Sequence, residues 1–138
     1  MNKQNFLDSQ YLRMAKIWSE NSHCERLKVA AFIVKNGMII SDGYNGTPKG
    51  FDNQCENKDG STKNYVLHAE ANALTKIAKS NNSSEGATIY TLVSPCIECA
   101  KLMIQSGIIK VVYSEDYRLR EGIELLKQAK IKVVKLNV

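Results

Sequence analysis

Residues 87–136 read ATIYTLVSPCIECAKLMIQSGIIKVVYSEDYRLREGIELLKQAKIKVVKL, and the alternation within this stretch decides the fold. Ala87–Val93 is a short apolar run of strand type, Pro95–Gln105 reads as a helix stopped by Gly107, and Ile109–Tyr113 is a second strand. A helix over Leu119–Ala129 and a strand over Ile131–Leu136 complete it. Strands separated by helices of about ten residues call for right-handed crossovers and parallel pairing. Upstream, Val29–Val34 and Met38–Ile40 flank Asn36-Gly37, the strongest short hairpin signal, and a hairpin is antiparallel. The expected product is a layered α/β domain with a mixed five-stranded sheet.

Two further helices are expected. Residues 4–20 carry Leu7, Tyr11, Met14 and Trp18 at steps of three and four, which predicts one core-facing stripe. The segment 66–79 is expected to bury Leu67, Ala71, Leu74 and Ala78. Between hairpin and second helix, Gly43–Tyr65 (GYNGTPKGFDNQCENKDGSTKNY) shows neither period and reads as a long loop, a place where small domains often keep function.

At 138 residues, with 43% hydrophobic and 24% charged residues, the chain fits one globular domain over 1–138. A net charge of +5 favours an anionic partner such as a nucleotide or nucleic acid. The basic residues are dispersed, however, and Lys127, Lys130, Lys132 and Lys135 are spaced like solvated faces of a helix and a strand. Aromatics do not interleave with a basic cluster, so no nucleic-acid groove is expected. The start, MNKQNFLDSQ, lacks a leader's apolar core, and no window approaches the roughly 18 apolar residues of a membrane span, so a soluble cytoplasmic protein is expected. In a reducing compartment the four cysteines read as metal or redox chemistry rather than disulfides.

Cys96 and Cys99 lie three apart at a helix start, behind Pro95, so both sulfurs reach one ion and the helix N-terminus favours their thiolates. Redox pairs and zinc ribbons also use C-x-x-C, but a ribbon wants a second such pair and this chain has none. What it offers is His68-Ala69-Glu70 at another helix start. Taken singly, His68 is as well explained as an ordinary half-buried histidine, and Glu70 as a favourable charge near a helix N-terminus. Jointly, one imidazole and two thiolates give zinc three ligands and leave the fourth tetrahedral position open, the catalytic arrangement; a structural site needs four. Two thiolates also neutralise the ion's formal charge, so a water there is acidified less than in an all-histidine site and needs a nearby base. Glu70 is the candidate general acid/base.

The pattern H-x-E with P-C-x-x-C is similar to the signature of the zinc deaminases. More fully, SHCERLKVAAFIVKNGMIISDGYNGTPKGFDNQC (22–55), VLHAEANA (66–73) and GATIYTLVSPCIECAKLMIQSGIIKVVYSEDYR (86–118) together resemble the deoxycytidylate (dCMP) deaminase family over nearly the whole chain. Gly43-Tyr44-Asn45-Gly46-Thr47-Pro48 is the most discriminating block, since nucleoside cytidine deaminases and tRNA adenosine deaminases share the zinc motif but usually not this loop. The resemblance implies a three-layer αβα cytidine-deaminase-like fold and zinc-dependent conversion of dCMP and water to dUMP and ammonia, on the route to thymidylate. Other cytosine nucleotides or nucleosides, dCTP, CMP or cytidine, are the alternative substrates.

By the same resemblance His68, Cys96 and Cys99 are the zinc ligands, Glu70 the proton shuttle, and Asn45 the group bonding the sugar. Main-chain groups at Ala69 and Ser94 would read the pyrimidine edge. Arg26 and the Tyr117-Arg118 pair are implied near the 5′-phosphate, where a guanidinium can grip two oxygens at once, with Lys28 and Arg120 as weaker candidates. Family members are commonly hexamers activated by dCTP and inhibited by dTTP; Gly43, Gly46 and Lys49 would suit such an effector, bare amides and a lysine making an anion cradle. Two departures stand out. Val29-Ala30-Ala31 replaces the Val-Gly-Ala of many relatives, and the loop from Phe51 to Tyr65 is shorter than in relatives with a second, structural zinc. Cys24, Cys55 and His23 could form such a site; otherwise the two cysteines are free thiols.

Overall fold

The computed structural model describes residues 2–138; Met1, the first position of the expected 1–138 domain, lies outside the described residues. Helix α1 (Lys3–Trp18) leads through a 3₁₀ turn to the hairpin β1 (Ala30–Lys35) and β2 (Met38–Tyr44). There follow α2 (Ala69–Ala78), β3 (Thr88–Val93), α3 (Ile97–Gln105), β4 (Lys110–Glu115), α4 (Glu121–Gln128) and β5 (Lys132–Lys135). The five strands form one sheet in the order β2-β1-β3-β4-β5. β1 is antiparallel to both β2 and β3, while β3, β4 and β5 are parallel, which is the mixed α/β architecture expected from the alternation. Asn36 (φ 52°) and Gly37 (φ 74°) both turn left-handed, as a two-residue type I′ hairpin requires.

Strand alternation sorts the core into two layers. Ala31, Ile33, Ile89 and Val111 point to the face covered by α2, α3 and α4, where Ala73, Met103, Ile123 and Leu126 meet them. Val34, Tyr90 and Val112 point the other way, onto Leu12 of α1, and Phe32 and Ala30 onto Ala15.

Two helical faces differ from the periodicity. In α1, Leu7, Met14 and Trp18 are exposed, Tyr11 is half-buried against Tyr90 (ring centroids 4.7 Å apart), and the buried stripe is Asp8, Leu12 and Ala15. The rotation is set by a polar contact that hydropathy misreads. Asp8 is fully buried and accepts from Tyr90 Oη (2.5 Å), Lys110 Nζ (2.8 Å) and Gln4 Nε2 (2.9 Å). In α2 the buried residues are Ala69, Glu70, Ala73 and Ile77; Ala71 and Leu74 are half-buried and Ala78 exposed. Leu67 cannot join that face, because its backbone pairs with Gly46 and the helix begins only at Ala69. Gly43 and Tyr44 belong to β2, so the long loop starts at Asn45.

Candidate active site

The site lies beyond the carboxyl ends of β3 and β4, where α/β sheets commonly bind ligands. His68 caps α2 and Cys96 caps α3, so the helix starts deliver the two halves of the donor set to one point. His68 Nδ1 is 3.4 Å from Cys96 Sγ and 3.4 Å from Cys99 Sγ. Tetrahedral zinc with ordinary Zn–N and Zn–S bonds separates such donors by about 3.5 Å, so the group fits that ion. No other His, Cys, Asp or Glu joins this cluster among the described residues. A hydrolytic centre needs that opening.

The thiols do not behave alike. Hydrogen bonding from Cys99, and then from His68, draws the Cys96 thiol down to about 3 against the opposing effect of burial. The hydrogen bond to the Cys96 sulfur, burial and the charge of Glu70 push the Cys99 thiol up. His68 is pushed up, chiefly by its bond to Cys96. Glu70 is 6% exposed, and burial raises its carboxyl to about 7, beside His68 and Cys96.

His68, Glu70 and Cys96 line a cavity of about 620 Å³. Asn45, Ser94, Arg26, Tyr117 and Arg118 all line it with His68 and Glu70. Asn45 Oδ1 accepts from Val29 N (3.0 Å) and its Nδ2 donates to Leu27 O (2.7 Å), which leaves one lone pair and one hydrogen for a ligand. Arg26 Nη1 donates to Thr62 Oγ1 (3.3 Å), and Arg118 stands over the Tyr117 ring (5.8 Å). Ser94 Oγ accepts from Tyr117 N (2.7 Å), tying β3 to the Tyr117-Arg118 lip. Ala69 is fully buried beside the wall. Lys28 is instead spent on Ser22 O (2.7 Å), and Arg120 pairs with Asp116 (3.8 Å).

Glu56, Thr62, Glu115 and Asp116 also line the cavity, and sequence reasoning missed them. For Glu56 and Thr62 no local signal exists: they oppose each other in an isolated β-bridge, and Glu56 Oε2 accepts from the amides of Glu25 (3.1 Å) and Arg26 (3.3 Å) across the loop.

Cys24 and Cys55 are neither a zinc pair nor free thiols here; they form a disulfide, with Cα atoms 5.1 Å apart. Anchoring of Ser22 to the Asn45 carbonyl (2.8 Å) and the bonds of Glu56 bring the two segments together. The side chain that clusters with the two sulfurs is Glu56, not His23, which is exposed on a second cavity of about 310 Å³. Gly43, Gly46 and Lys49 line that second cavity too, together with Lys76, which sequence reasoning missed. Asn45 belongs to both cavities.

Fold and site together define an α/β protein with three donors that could hold a metal ion and a buried acid on the wall of a cavity. Residues 6–115 match the family model described as the cytidine and deoxycytidylate deaminase zinc-binding region. The chain is 36% identical over 180 residues to the deoxycytidylate deaminase of enterobacteria phage T4, covering 94% of this chain and 93% of that one. It is 36% identical over 137 residues to the deoxycytidylate deaminase of Saccharomyces cerevisiae, covering 91% of this chain and 43% of that protein. The crystal structure of dCMP deaminase from cyanophage S-TIM5 in complex with dCMP and dUMP superimposes with a TM-score of 0.93 at 44% identity, over 99% of each chain. The chain belongs to the cytidine and deoxycytidylate deaminase family.

Proposed function

We propose that this chain is a zinc-dependent hydrolase that converts dCMP and water to dUMP and ammonia. The observation that carries the reading is the equal 3.4 Å spacing of His68 Nδ1 to both sulfurs, beside buried Glu70, on the wall of a cavity that Arg26 and Arg118 also line. His68, Cys96 and Cys99 would hold zinc, which supplies Lewis-acid polarisation of a water. Glu70 takes the water's proton and delivers it to the ring nitrogen as the carbon–oxygen bond forms. It then takes the proton of the newly added hydroxyl and hands it to the exocyclic amine, so that the carbon–nitrogen bond breaks, ammonia leaves and the hydroxyl oxygen becomes the carbonyl of dUMP.

Asn45 holds the sugar with its remaining donor and acceptor, and the backbone at Ala69 and Ser94 reads the pyrimidine edge. Arg26 and the Tyr117-Arg118 lip take the 5′-phosphate. A panel of dCMP, CMP, deoxycytidine, cytidine and dCTP read by ammonia release tests the assignment. Fastest turnover of dCMP is expected, and a preference for an unphosphorylated nucleoside would overturn the phosphate roles and favour the alternative of a nucleoside deaminase.

The second cavity, with Gly43, Gly46 and Lys49, is the proposed site for dCTP and dTTP as effectors, and its shared wall at Asn45 gives such binding a route to the substrate. One domain over 1–138, a homo-oligomeric and by resemblance hexameric assembly, and a cytoplasmic location complete the reading. Among the described residues no helix is long and apolar enough to cross a membrane. The same substrate panel repeated with dCTP and dTTP tests the control.

A further inference from the structure

Gly43 and Gly122 stand out because their backbone does not require glycine: neither has the positive φ of Gly37, Gly50, Gly60, Gly86 or Gly107. Gly122 occupies the first turn of α4, where the helical backbone accepts any ordinary residue. Both are instead places of close approach. A Cβ on Gly43 would lie 2.5 Å from Ala69 O and 2.6 Å from Ala73 N, in the first turns of α2. One on Gly122 would fall on the Pro95 carbonyl oxygen and lie 2.9 Å from Cys96 C. The obstructing atoms are backbone, so no rotamer change relieves them.

The two approaches address the two halves of the donor set. Gly43 lets β2 seat the start of α2, which bears His68 and Glu70. Gly122 lets α4 seat the Pro95-Cys96 turn, from which α3 carries Cys96 and Cys99. We infer that Gly43 and Gly122 are positioning residues that set the distance between the histidine half and the cysteine half of the metal site. The inference rests on the zinc reading above. A methyl group at either position displaces one half against the other while leaving every ligand in the sequence.

The test is zinc affinity, measured by competition with a chromophoric chelator well below each melting temperature. Gly43→Ala and Gly122→Ala are expected to weaken zinc at least tenfold. Leu12→Ala, on the far side of the sheet, is expected to lower the melting temperature as much and keep wild-type affinity. Affinity within twofold of wild type in both glycine variants overturns the inference alone. A wild-type chain that takes up no zinc overturns the zinc reading and the inference with it. If either variant does not fold, hydrogen exchange on the wild-type chain replaces it: stripping zinc should raise exchange at Asn45 and Glu124, whose amides donate to Val29 O and Arg120 O. Unchanged exchange there overturns the inference equally.

Discussion

The two faces of the sheet are made by the same strands, residue by residue in alternation, and they are held in opposite ways. On the face under α2, α3 and α4 the contacts are apolar, with Ala31, Ile33, Ile89 and Val111 meeting Ala73, Met103, Ile123 and Leu126 of the helices. Among the described residues its buried acid, Glu70, forms no salt bridge, and the charged groups beside it are His68 and Cys96 of the site. On the α1 face an acid is buried too, but Asp8 is saturated: Lys110, Tyr90 and Gln4 all donate to it. Burial therefore raises Glu70 to about 7, whereas Asp8 is held below 3.8, because its hydrogen bonds and the charge of Lys110 outweigh the burial that would lift it. An acid lifted towards neutral pH by burial can exchange protons with a substrate, and one saturated by donors is a clamp. Chemistry and cohesion have been assigned to different faces.

The largest effects should break that division on the site face. Glu70→Ala is expected to lower kcat for dCMP about a thousandfold, the range of a lost general acid/base, while zinc content by elemental analysis stays at the wild-type level. Cys99→Ala should lose both zinc and turnover, since two remaining donors do not hold the ion. Retained turnover in Glu70→Ala would remove the proton shuttle from the mechanism and, with it, the contrast between the two acids.

On the opposite face the expectation reverses. Leu12 is fully buried among Val34, Tyr90 and Val112, and Leu12→Ala should cost about 2–5 kcal/mol in a denaturant titration. The kcat of the folded fraction should remain near wild type. A large fall in kcat without a change in zinc content would show that the faces are coupled and that α1 takes part in the chemistry.

That separation also explains what could be read from the sequence. The strands themselves and the antiparallel hairpin follow from apolar runs and from Asn36-Gly37, because both signals are local, whereas the strand order and the antiparallel pairing of β1 with β3 are long-range. The donors His68, Cys96 and Cys99 are legible because helix starts fix their spacing. The buried face of α1 is not, because hydropathy places Asp8 outside and only Lys110 and Tyr90, about a hundred positions away, make its burial favourable. For α2 the apolar period misleads in another way. Its buried face includes Ala69 and Ala73, whose small side chains contribute little to any hydrophobic pattern. The Cys24–Cys55 bond depends on loop contacts through Ser22 and Glu56, which no spacing rule encodes.

The smallest effect sharpens the comparison through pH. Asp8→Asn keeps the shape of the side chain but removes the charge facing Lys110, which should cost about 1.5–3 kcal/mol at neutral pH, the range for a hydrogen bond to a charged group. The Asp8 carboxyl is lower in the folded chain than its ordinary 3.8, so the folded state binds its proton more weakly than the unfolded state does. Its contribution is therefore fully present above the unfolded value and is lost as pH falls through the lower folded value. Tyr90 does not compete for the charge, since burial first, and then Asp8, push its phenol up and keep it a donor. The stability gap between wild type and Asp8→Asn should be flat above about pH 5 and narrow below 3.8, read from urea midpoints across that range. A gap that stayed constant down to pH 2 would mean that Asp8 stabilises by shape alone, and the charged clamp on the α1 face would lose its basis.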